Sequence, residues 1–216
     1  LKGTAILLFY YKNFGMRPGI SDTDMLVPRD KLVDAIKILK EHGYRPVSTF
    51  RHSGHAFEKC VMDGDANIMR YHHAITYQKG NDNIDLHWRC SPLIKDSYYE
   101  MLSPNMQKLV LEGNPVYALS PEYQVMHISL HGVTQISDCK KTWWIIDLLY
   151  LLKSEKHVIN WEKLCAVVKQ YHSESFFIEA MKVIYDINPQ LVPFSASSLP
   201  RHYRLRNYCN TKITLC

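Results

Sequence analysis

Two aspartates at alternate positions are the first residues in this sequence whose types and spacing suit chemistry. Asp22 and Asp24 precede an apolar run at residues 25–27, and the whole segment is typical of a strand. On a strand, residues i and i+2 project from the same face, roughly 6–7 Å apart. Two carboxylates so placed can converge on one or two Mg²⁺ ions, which proteins usually share with substrate phosphates. The pair therefore predicts a site for a divalent cation and a phosphate group.

A third carboxylate lies on a second predicted strand. Residues 84–90 alternate between polar and apolar types, which places Asp85 and His87 on one face. If this strand lies beside the one that carries Asp22 and Asp24, three like charges meet, and such a cluster is costly without a cation. The alternative is that Asp85 is an ordinary exposed strand residue.

The start of the chain has a pattern that suits phosphate binding. Gly3 lies at the entry to a short apolar helix or strand at residues 4–11. A glycine at a helix entry lets a phosphate approach the backbone N–H groups and the positive end of the helix dipole. Lys2 could add a charge and Thr4 a hydroxyl, but this pattern alone is a weak signal.

The elements that must position these residues differ between the two halves of the chain. Residues 1–92 mix helices with strands, and residues 93–216 are almost entirely helical, which predicts one domain in each range. In the first half we predict strands at 24–27, 46–50, 56–62, 66–71 and 84–90, a helix from Asp30 to Gly43, and loops at 13–19 and 78–83. In the second half we predict helices at 97–112, 121–133, 141–153, 160–171 and 174–186, two of them capped by Ser120 and Asn160.

One of the predicted turns contains a second pair of alternating aspartates. Asp63 and Asp65 flank Gly64, and the Asp-Gly step predicts a hairpin turn between the strands at 56–62 and 66–71. The spacing of Asp22 and Asp24 is therefore not specific by itself, and its neighbours in the fold must decide what it does.

Composition describes an ordinary globular protein that is mildly basic. The 216 residues are 46% hydrophobic and 22% charged, with a net charge of +5. This balance suits a polyanionic ligand without demanding nucleic acid, and we expect no stable DNA binding. The richest apolar run, 143–152, contains Asp147 and is too short to span a membrane. We therefore expect no membrane-spanning segment.

The cysteines and the first residues bear on the compartment. The six cysteines form no C-x-x-C pair and several lie in apolar runs, which favours buried thiols in a reducing compartment. No signal peptide is visible, although a chain that opens with Leu1 can lack an N-terminal piece. We therefore expect a cytoplasmic protein.

Taken together, these motifs resemble those of a known family. The order is Lys2-Gly3, a helix, an Arg17-Pro18 step before Ser21-Asp22-x-Asp24, a helix, and then Asp-Leu-His-Trp-Arg at 85–89. In the helical half, residues 119–122, His131 and residues 144–149 also match. The combination resembles the uncharacterised nucleotidyltransferases, bacterial proteins of the DNA polymerase β superfamily. The resemblance implies an α+β fold with a polymerase β-like core, a small mixed sheet flanked by helices, followed by a helical C-terminal domain.

The resemblance also implies roles for the residues noted above. Asp22 and Asp24 match the superfamily's metal-binding pair, and Asp85 matches its third carboxylate. Gly3 and Thr4 stand where the superfamily has Gly-Ser holding the triphosphate, but here the sequence reads Lys-Gly-Thr and the gap to Asp22 is longer than usual. Three further residues are plausible phosphate ligands: Lys2, Arg17 and Ser21.

The activity implied is transfer of a nucleoside monophosphate from a nucleoside triphosphate, with ATP the expected co-substrate, to an acceptor hydroxyl. Pyrophosphate would be released by a two-metal mechanism with Mg²⁺ or Mn²⁺. Asp22 and Asp24 would hold one cation, and a second would bridge all three aspartates, unless Asp85 acts as a general base. His87 and His131 are possible acceptor-site residues. His127 and His131, at i and i+4 on a helix, could bind a metal together, but packing or hydrogen bonding is the favoured interpretation of this pair.

Other functional classes remain open at this point. The acceptor can be a small molecule, a protein or a transfer RNA, because no motif names it. The altered glycine region leaves room for a catalytically inactive module that binds a nucleotide or another protein. A toxin–antitoxin component and an antibiotic-modifying enzyme are further alternatives within the superfamily.

Overall fold

The structure is a computed structural model, and it describes residues 1–11, 13–17, 22–48, 53–94, 99–134, 142–154 and 159–193. The chain divides into two compact units, Leu1–Ser120 and Pro121–Cys216. The domain boundary expected after residue 92 stays a prediction. In the division by contacts, residues 93–120 belong to the first unit. No helix in the described part of the chain is long and apolar enough to cross a membrane.

The first unit contains two sheets and several short helices. Its helices are α1 (Lys2–Ile6), which continues as a π-helix over Leu7–Tyr11, α2 (Leu32–Glu41), α3 (Gly54–Met62), α4 (Ala66–Tyr71) and α5 (Tyr99–Leu102). Its strands are β1 (Asp22–Leu26), β2 (Arg45–Pro46), β3 (Ala74–Lys79), β4 (Asp82–His87), β5 (Met106–Leu111) and β6 (Asn114–Leu119). Short 3₁₀ turns lie at Phe14–Met16, Arg29–Lys31 and Ser103–Asn105.

The larger sheet has the strand order β1-β4-β3-β2. β1 runs parallel to β4, whereas β3 runs antiparallel to both of its neighbours, β4 and β2. β1 therefore lies at one edge of this mixed sheet. Helices α2, α3 and α4 supply the apolar side chains that cover it, and the core they form with the sheet contains Leu32, Ile36, Phe57, Val61, Met69, Ile75, Tyr77, Leu86 and Trp88.

The strands predicted at 56–62 and 66–71 are wrong, because these residues form α3 and α4. Ser53 caps α3 by accepting a hydrogen bond from the Ala56 amide, and Asp65 caps α4 by accepting two from the first turn. Phe57 and Val61 are buried at the i, i+4 spacing of a helix. Gly64 does adopt positive φ, but in a connection between helices.

The helix predicted at 97–112 is also wrong over most of its length. Among the described residues of this range, only the four of α5 are α-helical, and residues 106–111 pair with 114–119 as the antiparallel hairpin β5–β6. Glu112 and Gly113 both have positive φ, which makes the tight turn of this hairpin. Similarly, the loop predicted at 78–83 contains the ends of β3 and β4 around Gly80, another residue with positive φ.

The second unit is helical in its described part, as predicted. Its helices are α6 (Pro121–Thr134), α7 (Trp143–Lys153), α8 (Trp161–Gln170) and α9 (Glu174–Ile187). The other three pack against α6. Asn160 caps α8, since its side-chain oxygen accepts a hydrogen bond from the Lys163 amide at 3.0 Å.

Candidate metal and nucleotide site

The register of β1 and β4 brings two of the predicted carboxylates together. The strands are parallel, and Asp24 is the partner of Asp85. Residues in register on neighbouring strands project from the same face of the sheet. The Asp24 side chain is almost fully buried, with 5% of its surface exposed, and Asp85 is partly buried. The sheet therefore holds two carboxylates side by side at its edge.

His87 completes a compact group with these two aspartates. One ligand atom from each of Asp24, Asp85 and His87 lies within 4.8 Å of the others. His87 Nε2 is 2.9 Å from Asp24 Oδ1, and Nδ1 is 3.2 Å from the carbonyl oxygen of Arg89. The His87 side chain is 3% exposed. The alternation over residues 84–90 predicted that His87 and Asp85 share a face, but nothing in the sequence predicted the contact of His87 with Asp24.

Thr76 contacts the group from the third strand of the sheet. It is the antiparallel partner of Asp85, and its hydroxyl donates a 2.6 Å hydrogen bond to Asp85 Oδ1. Sequence reasoning missed this residue because β3 went unrecognised. The available signal was the alternation of apolar and polar residues over 74–79, with Ile75 and Tyr77 on the core face.

Asp22 occupies a different position from the other two aspartates. It begins β1, opposite Asn83, and by strand periodicity shares the face of Asp24. Among the described residues, the compact group consists of Asp24, Asp85 and His87 without Asp22. The role expected for Asp22 therefore stays a prediction.

The start of the chain lies against the strand that carries the aspartates. The Leu1 backbone nitrogen donates a 2.7 Å hydrogen bond to the carbonyl oxygen of Asp24, which ties the beginning of α1 to β1. Arg17 packs on Gly3, where an added Cβ would meet its Nη1 atom at 3.0 Å. The buried Thr4 hydroxyl finds no hydrogen-bond partner in the described part of the chain. Three of the predicted phosphate ligands, Gly3, Thr4 and Arg17, thus lie close together at the start of α1, which contacts the strand that carries Asp24.

The remaining predicted site residues are Lys2, Ser21 and His131. Lys2 lies in the first turn of α1, and Ser21 lies outside the described residues. His131 is half-buried on α6 in the second unit, four residues after the buried His127. Its assignment to an acceptor site stays a prediction.

The chemistry of the donor set fits a divalent cation. Two carboxylates supply hard oxygen ligands, which Mg²⁺ and Mn²⁺ prefer, and an imidazole is acceptable to Mn²⁺ and later transition metals. Asp24 and Asp85 are the residues that would hold the ion, and His87 lies beside them. Two carboxylates this close also favour a cation between them, because their mutual repulsion is otherwise only partly compensated.

One comparison with known proteins identified a family for this chain, and another found nothing. A search of curated proteins found no match. A family model described as an uncharacterised nucleotidyltransferase matches residues 1–186, a span that includes α1, both strands of the carboxylate pair and helices α6 to α8. The chain therefore belongs to the family of uncharacterised nucleotidyltransferases.

Proposed function

We propose that this protein transfers a nucleoside monophosphate from a nucleoside triphosphate to a hydroxyl group of an acceptor, releasing pyrophosphate. The observation that carries the proposal is the pairing of Asp24 with Asp85 across parallel strands, with His87 in the same compact group. Family membership supports nucleotidyl transfer in general. The paired carboxylates supply the chemistry that such a reaction requires.

The aspartates hold the divalent cation in this proposal. Asp24 and Asp85 are its ligands, and Asp22 contributes from the start of the same strand. When bound, Mg²⁺ or Mn²⁺ supplies positive charge that offsets the charge of the triphosphate and favours deprotonation of the attacking hydroxyl. Asp85 has a second role as the acceptor of the proton that the attacking hydroxyl loses. The hydrogen bond from Thr76 holds its carboxylate in place.

The start of α1 and Arg17 bind the triphosphate in this proposal. Gly3 has no side chain to keep a phosphate away from the backbone, and the first amides of a helix attract anions. The guanidinium of Arg17 lies over Gly3 and can donate two parallel hydrogen bonds to phosphate oxygens. Thr4 adds a hydroxyl whose hydrogen-bonding capacity is otherwise unused in the described residues.

A labelling experiment tests the proposal. Each of the four nucleoside triphosphates, labelled with ³²P at the α-phosphate, is incubated with the purified protein, Mg²⁺ or Mn²⁺ and a cell lysate. We expect label to move to one class of molecule, with pyrophosphate released in equal amount. Asp24→Asn and Asp85→Asn should reduce the rate at least about 100-fold, since each removes a negatively charged ligand of the cation whose positive charge stabilises the transition state.

The chain supplies a matched control for these variants. Asp63 belongs to the second pair of alternating aspartates and is exposed at the end of α3. Asp63→Asn should keep the rate of the unmodified protein. Failure of every triphosphate to give labelled product, or full activity in both Asp24→Asn and Asp85→Asn, would contradict the proposal.

A further inference from the structure

We propose that a cavity between β1 and β6 binds the nucleobase of the triphosphate, an inference that rests on the proposed function. The cavity has a volume of about 370 Å³ and lies within the first unit. That size is within the range of small-molecule sites. Its walls come from the first two turns of the chain, from β1, from the start of α5 and from the β5–β6 hairpin.

The cavity is a slot between the edges of two strands. Four consecutive residues of β1, 23–26, and five consecutive residues of β6, 115–119, line it. Successive side chains of a strand point to opposite faces, so a cavity that touches all of them lies against the strand's edge. The other edge of β1 pairs with β4, and the other edge of β6 pairs with β5.

Backbone polar groups of β1 face this slot. The amide of Val27 donates to His87 of β4 at 3.0 Å, whereas the carbonyl of Asp24 accepts from Leu1 on the opposite side. Along a strand these directions alternate. The N–H and C=O of Leu26 therefore point away from β4 and into the slot, where they can pair with donors and acceptors on the rim of a planar ring.

The remaining walls are apolar and rich in flat or polarizable side chains. Phe9, Tyr99 and Tyr117 contribute aromatic rings, and Met25 and Met106 contribute thioethers. Such groups stack on the π-face of a base and tolerate any of the common bases. Polar groups along the edges and apolar groups on the faces match the distribution of polarity on a nucleobase.

The position of the slot fits the same ligand as the carboxylate site. Asp24, from the candidate cation site, and Thr4, from the proposed triphosphate site, both line it. A triphosphate held at the start of α1 thus has its nucleoside directed toward the slot. An unrelated ligand would not need this continuity with the phosphate site.

Calorimetry on the full chain tests the inference. The dissociation constants of ATP, GTP, CTP, UTP and inorganic tripolyphosphate are measured with Mg²⁺ present. We expect at least one nucleoside triphosphate to bind at least about tenfold more tightly than tripolyphosphate, because only the former places a stacked base in the slot. Tyr117→Ala should weaken binding of that nucleotide about tenfold and leave the tripolyphosphate affinity unchanged.

Tyr71→Ala is the matched control. Tyr71 is 67% exposed and Tyr117 is 54% exposed, but Tyr71 lies on α4 outside the cavity, so its loss should change neither affinity. Unchanged tripolyphosphate binding also shows that the Tyr117 variant is folded. Equal affinities for nucleotides and tripolyphosphate, or no effect of Tyr117→Ala on nucleotide binding, would overturn the assignment of the slot. Loss of both kinds of binding in the unmodified protein would overturn the proposed function as well.

Discussion

At the scale of single residues, the candidate site depends on hydrogen bonds that orient its carboxylates. Asp24 is contacted by His87, and Asp85 is contacted by Thr76, each through one oxygen of the carboxylate. Contacts of this kind fix the direction of a metal ligand and reduce the motion that must be lost when an ion binds. Thr76 and His87 are therefore positioning residues in the proposed reaction.

Replacing Thr76 by valine tests its positioning role. Thr76→Val keeps the shape of the side chain but removes the donor to Asp85. We expect the rate of nucleotidyl transfer to fall about 10- to 100-fold, the usual cost of losing a hydrogen bond to a metal ligand. The measurement is kcat and KM for the labelled nucleotide at several Mn²⁺ concentrations, with the variant's fold checked by circular dichroism. Thr76→Ser should restore most of the rate, and a valine variant with full activity would show that the hydroxyl is dispensable.

A second buried carboxylate, Glu58, has a structural role. Its side chain accepts hydrogen bonds from the Tyr77 hydroxyl at 2.8 Å and from Lys40 Nζ at 3.0 Å. Burial of the phenol, aided by the bond to Glu58, raises the pKa of Tyr77 well above its ordinary value of 10.0. Because the folded protein holds this proton more tightly than the unfolded chain, the associated stability is present below about pH 10 and is lost as the pH rises further.

Tyr77→Phe tests this linkage. Removing the hydroxyl takes one partner from a buried carboxylate, and we expect the free energy of unfolding at pH 8 to fall by about 1–2 kcal/mol. Between pH 9 and 11 the difference between the two proteins should shrink, since only the unmodified one loses the contribution of Tyr77. Urea unfolding of both proteins at each pH measures this difference in the free energy of unfolding. A difference that stays constant or grows with pH would contradict the assigned direction.

At the scale of elements, the parallel pairing of β1 with β4 is what builds the site. The sequence predicted both strands, because each combines alternating or apolar residues with a clear end. It also predicted the helices of the second unit, whose long apolar patterns and caps are local signals. Local signals were ambiguous between residues 54 and 71, where short apolar runs fit both the helical and the strand periodicity. In the structure these residues form helices, which Ser53 and Asp65 cap.

The contacts within the site are not local and were less predictable. Asp24 and His87 are 63 residues apart in the chain, and their contact depends on the strand register. A one-residue shift would move His87 and Asp85 to the opposite face of the sheet. Thr76 depends on a further strand, so recognising its contact required the whole sheet order.

The junction of β2 and α3 makes a prediction at this scale. Gly54 opens α3 directly against β2, where an added Cβ would lie 2.2 Å from the carbonyl oxygen of Pro46. Gly54→Ala must therefore displace backbone, and we expect a loss of about 3 kcal/mol in the free energy of unfolding. Gly64→Ala is the control, since open space surrounds Gly64 and only its positive φ opposes a side chain, at about 1 kcal/mol. Urea unfolding of both variants distinguishes the cases, and equal losses would contradict the close contact.

At the scale of the whole molecule, the groups proposed to bind the cation and the nucleotide lie in the first unit. The cation group, the start of α1, Arg17 and the slot all belong to Leu1–Ser120. The net charge of +5 favours the approach of a polyanion such as a triphosphate. A ligand that binds only the folded state stabilises the elements it contacts, so its effect on local opening should differ between the two units.

Hydrogen exchange on the intact chain measures this difference. With Mn²⁺ and a bound nucleoside triphosphate, amides of α1, β1 and β4 should exchange more slowly, by up to about 100-fold when the free ligand exceeds its dissociation constant 100-fold. Amides of α8 and α9 should show a smaller change, because no assigned ligand group lies on these helices. Chelation of the metal should reverse the protection, and Asp24→Asn should lack it while Asp63→Asn retains it. Protection that is equal in both variants would mean that the cation binds elsewhere, because Asp24 belongs to the compact carboxylate group and Asp63 does not.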